Sequence, residues 1–327
     1  MPHARLHGCM ISRQKQKGLP MWFKQFQLFQ LTESIAYKPE VLEESLAALA
    51  FTPCLPSFPS SIGWASPFEA EGAPLVFAAS GYIMLCMQIE EKILPASVIR
   101  QTLDEKIKKI EAREDRKVRS KDKLSMKDEV IMNLLPRAFT KMTRIYAYID
   151  TQNNRVVLGT TNQGKAEQFL NLFKKSVSEH IKPYEVKKPG PILTYWLKEK
   201  KYPTELNIEK SCVLQDPSQQ NRVIRCQEQD LFAGSIQSLI KDGCEVKQLA
   251  LCWHDRINFV LAEDFSARSI KFEEGVITQA SEIEVESKEQ QFAADFFIMT
   301  ETFSGLIQDL IKHFAKETKE IEELAVA

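Results

Sequence analysis

Residues 90–139 read EEKILPASVIRQTLDEKIKKIEAREDRKVRSKDKLSMKDEVIMNLLPRAF, and this stretch decides how the chain is put together. Pro95 suits the first turn of a helix, where its missing N–H leaves no bond unmade. Val98, Ile99, Leu103, Ile107 and Ile110 recur after it at helical spacing. The spacing predicts one long helix running at least to Glu111 and reaching toward Val118, with a charged outer face. On either side the pattern turns to strands. Residues 75–89 are apolar and broken at Ser80-Gly81, which predicts a hairpin; residues 145–149 and 156–158, separated by Gln152-Asn153-Asn154, predict another.

Working outward, apolar residues in 22–31 favour a strand, and Pro39 opens a short helix through Ala50 with Leu42, Leu46 and Leu49 on one face. Dense Pro, Ser and Gly mark 53–72 as loops. Further helices are expected over 166–173, 193–199 and 235–241, and strands over 211–214, 222–225, 246–253 and 256–262, the last two joined by Trp253-His254-Asp255-Arg256 as a tight turn. A packed terminal helix over 292–314 is expected to be interrupted near Gly305. The pattern is one of hairpins and paired strands with helices between them, one helix long and basic. The divisions are 1–20, a disordered N-terminal extension; 21–90, an N-terminal α+β part; 91–144, a long basic helical segment; 145–185, a β-hairpin and helix; and 186–327, a C-terminal α+β part with an acidic terminal helix.

At 327 residues, 44% hydrophobic and 27% charged, the chain has apolar material for two or three cores, which excludes a disordered or fibrous protein. Seven scattered cysteines without a CxxC pair read as thiols of a reducing compartment, and no apolar run is long enough to span a bilayer. A cytoplasmic protein without membrane contact is expected. The net charge of -1 hides a strong asymmetry. Between Lys92 and Arg144 fifteen Lys or Arg face eight acids, a balance of +7; between Glu263 and Glu323 fifteen acids face six bases, a balance of -9. Cations spaced along a rod match the phosphates of a polyanion, though intermixed acids such as Glu114 and Asp115 suit a merely solvated, salt-bridged helix equally. Aromatic residues are not interleaved with the cations, so backbone contact rather than base stacking is the mechanism to expect.

Enzymatic signals are thin. Gly159-Thr-Thr-Asn-Gln-Gly164-Lys165 matches the spacing of a phosphate-binding loop, but Ala166 stands where a hydroxyl must hold magnesium. This leaves a degenerate nucleotide-binding enzyme as one alternative and a protein-interaction scaffold acting through residues 263–327 as another. Glu90 and Glu91, adjacent on a strand end, point to opposite sides and read as solvated. No metal-ligand or nucleophile motif is present, so no cofactor and no catalysis are expected.

Several blocks carry a family resemblance: Met21-Trp22-Phe23-Lys24, Ala50-Phe51-Thr52-Pro53-Cys54, Gly63-Trp64, Glu90-Glu91-Lys92-Ile93-Leu94-Pro95, Lys127-Asp128-Glu129-Val130, Leu134-Leu135-Pro136-Arg137-Ala138-Phe139, Ile149-Asp150-Thr151, Gln229-Asp230-Leu231 and Ala294-Asp295-Phe296. In this order the chain resembles RdgC proteins from Met21 to about Phe314. The resemblance implies an α+β fold, mainly antiparallel sheets with flanking helices and one long basic helix, assembled as a ring-shaped homodimer whose basic hole encircles single- and double-stranded DNA without sequence preference. It also implies nucleoid association, antagonism of RecA in recombination, a role at replication forks, and no catalytic centre. Within that frame the charge pattern selects Arg113, Arg116, Lys117, Arg119, Lys121, Lys123 and Arg137 for DNA contact, and Phe139 as a dimer contact or a core residue. Gln227-Glu228 stands where the family can be basic, which weakens any contact from 223–231.

Overall fold

The computed structural model describes residues 22–32, 38–68, 72–177, 181–186, 189–283 and 285–326, with side chains up to 317 apart from that of 220. The expected extension over 1–20, and Met21 of the first family block, lie outside the described residues. The chain divides into two compact units, one of Leu28–Tyr184 and one of residues up to Gln27 together with Glu185 onward.

The first unit holds a seven-stranded sheet of β1 (Gln27–Leu31), β2 (Ser60–Ala65), β3 (Val76–Ala79), β4 (Tyr82–Ile93), β5 (Phe139–Asp150), β6 (Arg155–Leu158) and β7 (Ile181–Pro183) in the order β2-β4-β5-β6-β1-β7, with β3 also on β4. The hairpin at Ser80-Gly81 forms as the sequence predicts, both residues having positive φ. Along β4 the side chains alternate, so Ile83, Leu85, Met87 and Ile89 share one face with Ile145, Ala147 and Ile149 of β5. Helices α1 (Pro39–Ala47) and α4 (Gln163–Val177) roof that face through Leu42, Leu46, Phe169 and Phe173, around Trp64. Trp64 packs edge-on to Phe169 at 5.5 Å and donates Nε1–H to Ser176 Oγ at 2.8 Å.

β2 falls in the stretch read as loops. Its residues, SSIGWA, are poor in strand formers, and Gly63 is there for space: a Cβ would lie 2.5 Å from Phe51 Cα, where the chain at Ala50 runs beside Trp64.

The long basic helix ends at Glu114, between the two expected limits, and a second helix that the sequence did not separate follows it. α2 (Ala96–Glu114) stops at Asp115, which takes the left-handed conformation (φ 44°), and α3 (Ser120–Leu134) returns against it. Between Ile110 and Val118 no apolar side chain falls at helical spacing, so a continuing helix would have nothing to pack. Glu111 Oε1 accepts the Val118 N–H at 3.0 Å and draws the chain back, burying Val118. The strands beside this hairpin are also longer than expected, β4 reaching Ile93 and β5 starting at Phe139.

The second unit is a five-stranded antiparallel sheet, β12-β11-β10-β8-β9, of β8 (Leu206–Asp216), β9 (Gln219–Cys226), β10 (Glu245–Trp253), β11 (Ile257–Ala262) and β12 (Ala267–Phe272). α5 (Pro189–Glu199), α6 (Gly234–Lys241) and α7 (Glu274–Ser281) accompany it, and α8 (Lys288–Val326) supplies Phe296, Met299, Phe303, Leu306, Leu310 and Phe314 to the core. His254 and Asp255 both have positive φ, and Arg256 N–H closes the β10–β11 turn on Trp253 O at 2.8 Å. α8 is unbroken at Gly305; the glycine instead makes room for the Trp253 ring, since a Cβ would meet Trp253 Cη2 at 2.9 Å. Among the described residues no helix is long and apolar enough to cross a membrane.

Candidate nucleic-acid interface

The twelve register pairs of β4 and β5, from Tyr82 with Asp150 to Ile93 with Phe139, make a long two-stranded ribbon, and α2 and α3 continue it as a helical hairpin. Both helices are rooted at adjacent strand ends, so the Asp115–Arg119 turn stands at the far end. The 19 residues of α2 place it about 28 Å from the root. The hairpin is thin: α2 has no fully buried residue, and α3 buries only Val130. Lys106 Nζ and Glu129 Oε2 tie the two helices at 2.6 Å.

Six of the seven cations selected from the sequence gather at this tip. Arg113 closes the last turn of α2, Arg116 and Lys117 lie in the turn, Arg119 precedes α3, and Lys121 and Lys123 occupy its first turn. All six are exposed. They also stand at the N-terminus of α3, whose unpaired amides and dipole favour an anion. The six are not equivalent. Arg113 and Arg116 both grip Glu114, at 2.9 and 2.7 Å, and the two guanidiniums hold its carboxyl below the usual range. Lys117, Arg119, Lys121 and Lys123 have no ion-pair partner among the described residues.

Arg137 is not part of this group. It ends the 3-10 turn Leu135–Arg137 at the root, a helix length from the tip. Phe139 also sits at the root and is 86% exposed, so of its two sequence readings the core role fails. Its register partner also went unread in the sequence: Ile93, opposite Phe139, is 47% exposed. An apolar residue closing a charged run, as in EEKI, was the available signal.

Glu90 is corrected too. It is buried rather than solvated, and its Oε2 accepts the Cys54 N–H at 2.6 Å, which makes it a structural cap of the 53–59 loop. At Gly159–Lys165 the helix start is capped from within: Asn162 Oδ1 accepts the Lys165 N–H at 3.0 Å, and Thr160 Oγ1 accepts that of Asn162 at 3.2 Å. Backbone donors that a phosphate-binding loop offers its ligand are here used by the chain itself. Among the described residues no three His, Cys, Asp or Glu are placed to hold a metal ion.

Comparison with known proteins places the chain in a family. The profile described as "Putative exonuclease, RdgC" matches residues 21–317. The chain is 37% identical over 299 residues to the recombination-associated protein RdgC of Halorhodospira halophila, covering 91% of this chain and 99% of that one. It is 34% identical over 301 residues to the protein of the same name from Yersinia enterocolitica and 35% identical over 301 residues to that of Yersinia pestis, with the same coverage. The profile carries an enzyme's description and the relatives do not, but all agree on the lineage: the chain belongs to the RdgC family of recombination-associated proteins.

Proposed function

We propose that this protein binds DNA without sequence preference and without catalysis, taking single and double strands, and that it does so as a ring-shaped homodimer closed around the nucleic acid. In the cell it would associate with the nucleoid, oppose RecA in recombination and act at replication forks. The observation that carries the reading is the basic tip of the α2–α3 hairpin, where four exposed cations lack an acidic partner among the described residues and two more share one carboxylate. Such a group neutralises phosphates and reads no base edges. The exposed pair Ile93 and Phe139 supports self-association, because an aromatic left in water on a sheet end stabilises a dimer once covered.

Binding to unrelated duplexes and single strands, titrated with salt, tests this directly. Similar affinities and a steep fall of log K with log salt are expected. Salt-independent binding, or strong preference for one sequence, would refute phosphate-directed recognition. Shortening of an end-labelled strand in the presence of magnesium would overturn the non-catalytic part and favour the exonuclease description.

A further inference from the structure

The register of β8 and β9 sets Cys212 directly opposite Cys226. Opposed residues of an antiparallel pair have Cα atoms about 4.5 or 5.5 Å apart and side chains on one face. Both spacings fall inside the window of about 4.4–6.8 Å that a disulfide spans. The two thiols therefore stand side by side on one face of the sheet. Neither Cys86 nor Cys252, the other described cysteines on strands, has a cysteine as register partner.

The environments of the two thiols differ in a useful way. Cys212 is buried, and burial, followed by the neighbouring Cys226, pushes its thiol up to about 12. Cys226 is half-buried on the outermost strand and lines an open cleft of about 510 Å³ between the end of β9 and α6, with Arg225, Gln229 and Ser235 around it. One thiol is reachable from solvent through the cleft; the other is buried behind it.

We propose that Cys212 and Cys226 are a modification site: a reversible intrachain disulfide formed by a hydroperoxide entering the cleft and undone by a dithiol. With hydrogen peroxide, the Cys226 sulfur attacks one peroxide oxygen. The S–O bond forms as the O–O bond breaks, and the leaving hydroxide departs as water with the Cys226 proton. The Cys212 sulfur then attacks the sulfenic sulfur; the S–S bond forms, the S–O bond breaks, and that hydroxide leaves as a second water with the Cys212 proton. Two thiols lose two electrons and one peroxide gains them. A dithiol returns the electrons and becomes a disulfide itself. The product ties the edge strand β9 covalently to β8 and is independent of the proposed DNA contacts.

The test is peptide mapping of the reduced full chain after stoichiometric peroxide, with free thiols alkylated before digestion. Trypsin cuts after Lys210, Arg222, Arg225 and Lys241, so the two cysteines fall on separate peptides, 211–222 and 226–241. Expected is a linked pair of these peptides, two hydrogens lighter than their sum, that separates on dithiothreitol treatment. In Cys212→Ser, Cys226 should stop at the sulfenic acid and be labelled by dimedone. Peptides recovered unlinked and alkylated, or Cys226 joined to a different cysteine, would overturn the assignment, and the wild-type map gives that answer even if a variant misfolds.

Discussion

Ile93 and Phe139 face each other as the last register pair of β4 and β5, on the same sheet face as Ile89 and Ile145 but beyond the reach of α1 and α4. The roof ends and the apolar face runs on. Phe139→Asp should therefore convert the proposed dimer to a monomer, seen as a halved mass in light scattering. If the contact is made twice by symmetry, each copy losing about 2 kcal/mol or more, the effect is far larger than for a rim residue. At 86% exposure in the protomer, the substitution should leave the melting of the monomer nearly unchanged. An unchanged mass would remove Phe139 from the interface.

The tip should show an internal ranking. Lys117→Ala, Arg119→Ala and Lys121→Ala combined are expected to weaken DNA binding equally across sequences and to reduce the salt slope on duplex by about 2 to 3. Arg113→Ala and Arg116→Ala should each cost less, since both cations are shared with Glu114.

Glu114→Gln makes the opposite prediction. Releasing both guanidiniums should strengthen binding and steepen the slope; a weaker complex would mean that Glu114 orients the arginines productively rather than masking them.

Periodicity made most elements legible, and charge counting led to the tip. What escaped was set by partners distant in sequence. The break between α2 and α3 depends on Glu111 reaching Val118, seven residues away, and its sign in the sequence was only the missing apolar positions between them. The extension of β4 through Glu90 and Lys92 was hidden because polar residues there satisfy β5 pairing, and Glu90 finds its use in the backbone of Cys54. Gly305 was read as a break and Gly63 lay in a stretch read as loops, yet each sits inside a regular element because another group, the backbone of Phe51 or the ring of Trp253, needs the space of a missing Cβ. The pairing of Glu114 with Arg113 and Arg116 was among the readings that the intermixed acids offered; which cations stay free was not.

That use of Gly305 can be checked. An alanine in a helix interior is favoured over glycine by about 1 kcal/mol, whereas overpacking costs about 1–3 kcal/mol. The Trp253 ring is pinned by its Nε1–H bond to Asp309 Oδ2 at 3.0 Å and cannot easily swing away, so the clash should win and Gly305→Ala should lower the melting temperature. In an Asp309→Ala background the ring is free to move, and the same substitution should cost less. Equal costs in both backgrounds would show that the ring is held by packing alone.

Asp295 gives a pH test with a definite sign. It is buried on α8, and burial raises its carboxyl above the usual value, offset in part by the Gln291 Nε2–H bond to Oδ1 at 2.9 Å. A carboxyl whose folded value is raised binds its proton more tightly in the folded chain than in the unfolded one. Its contribution to stability is therefore fully present below the unfolded value of about 3.9 and is lost as pH rises through the raised folded value. Denaturant midpoints for Asp295→Asn should lack this loss, so the variant should gain on the wild type as pH rises from acid toward neutral. A constant offset at all pH values would mean that the carboxyl titrates normally and that its burial is relieved by water.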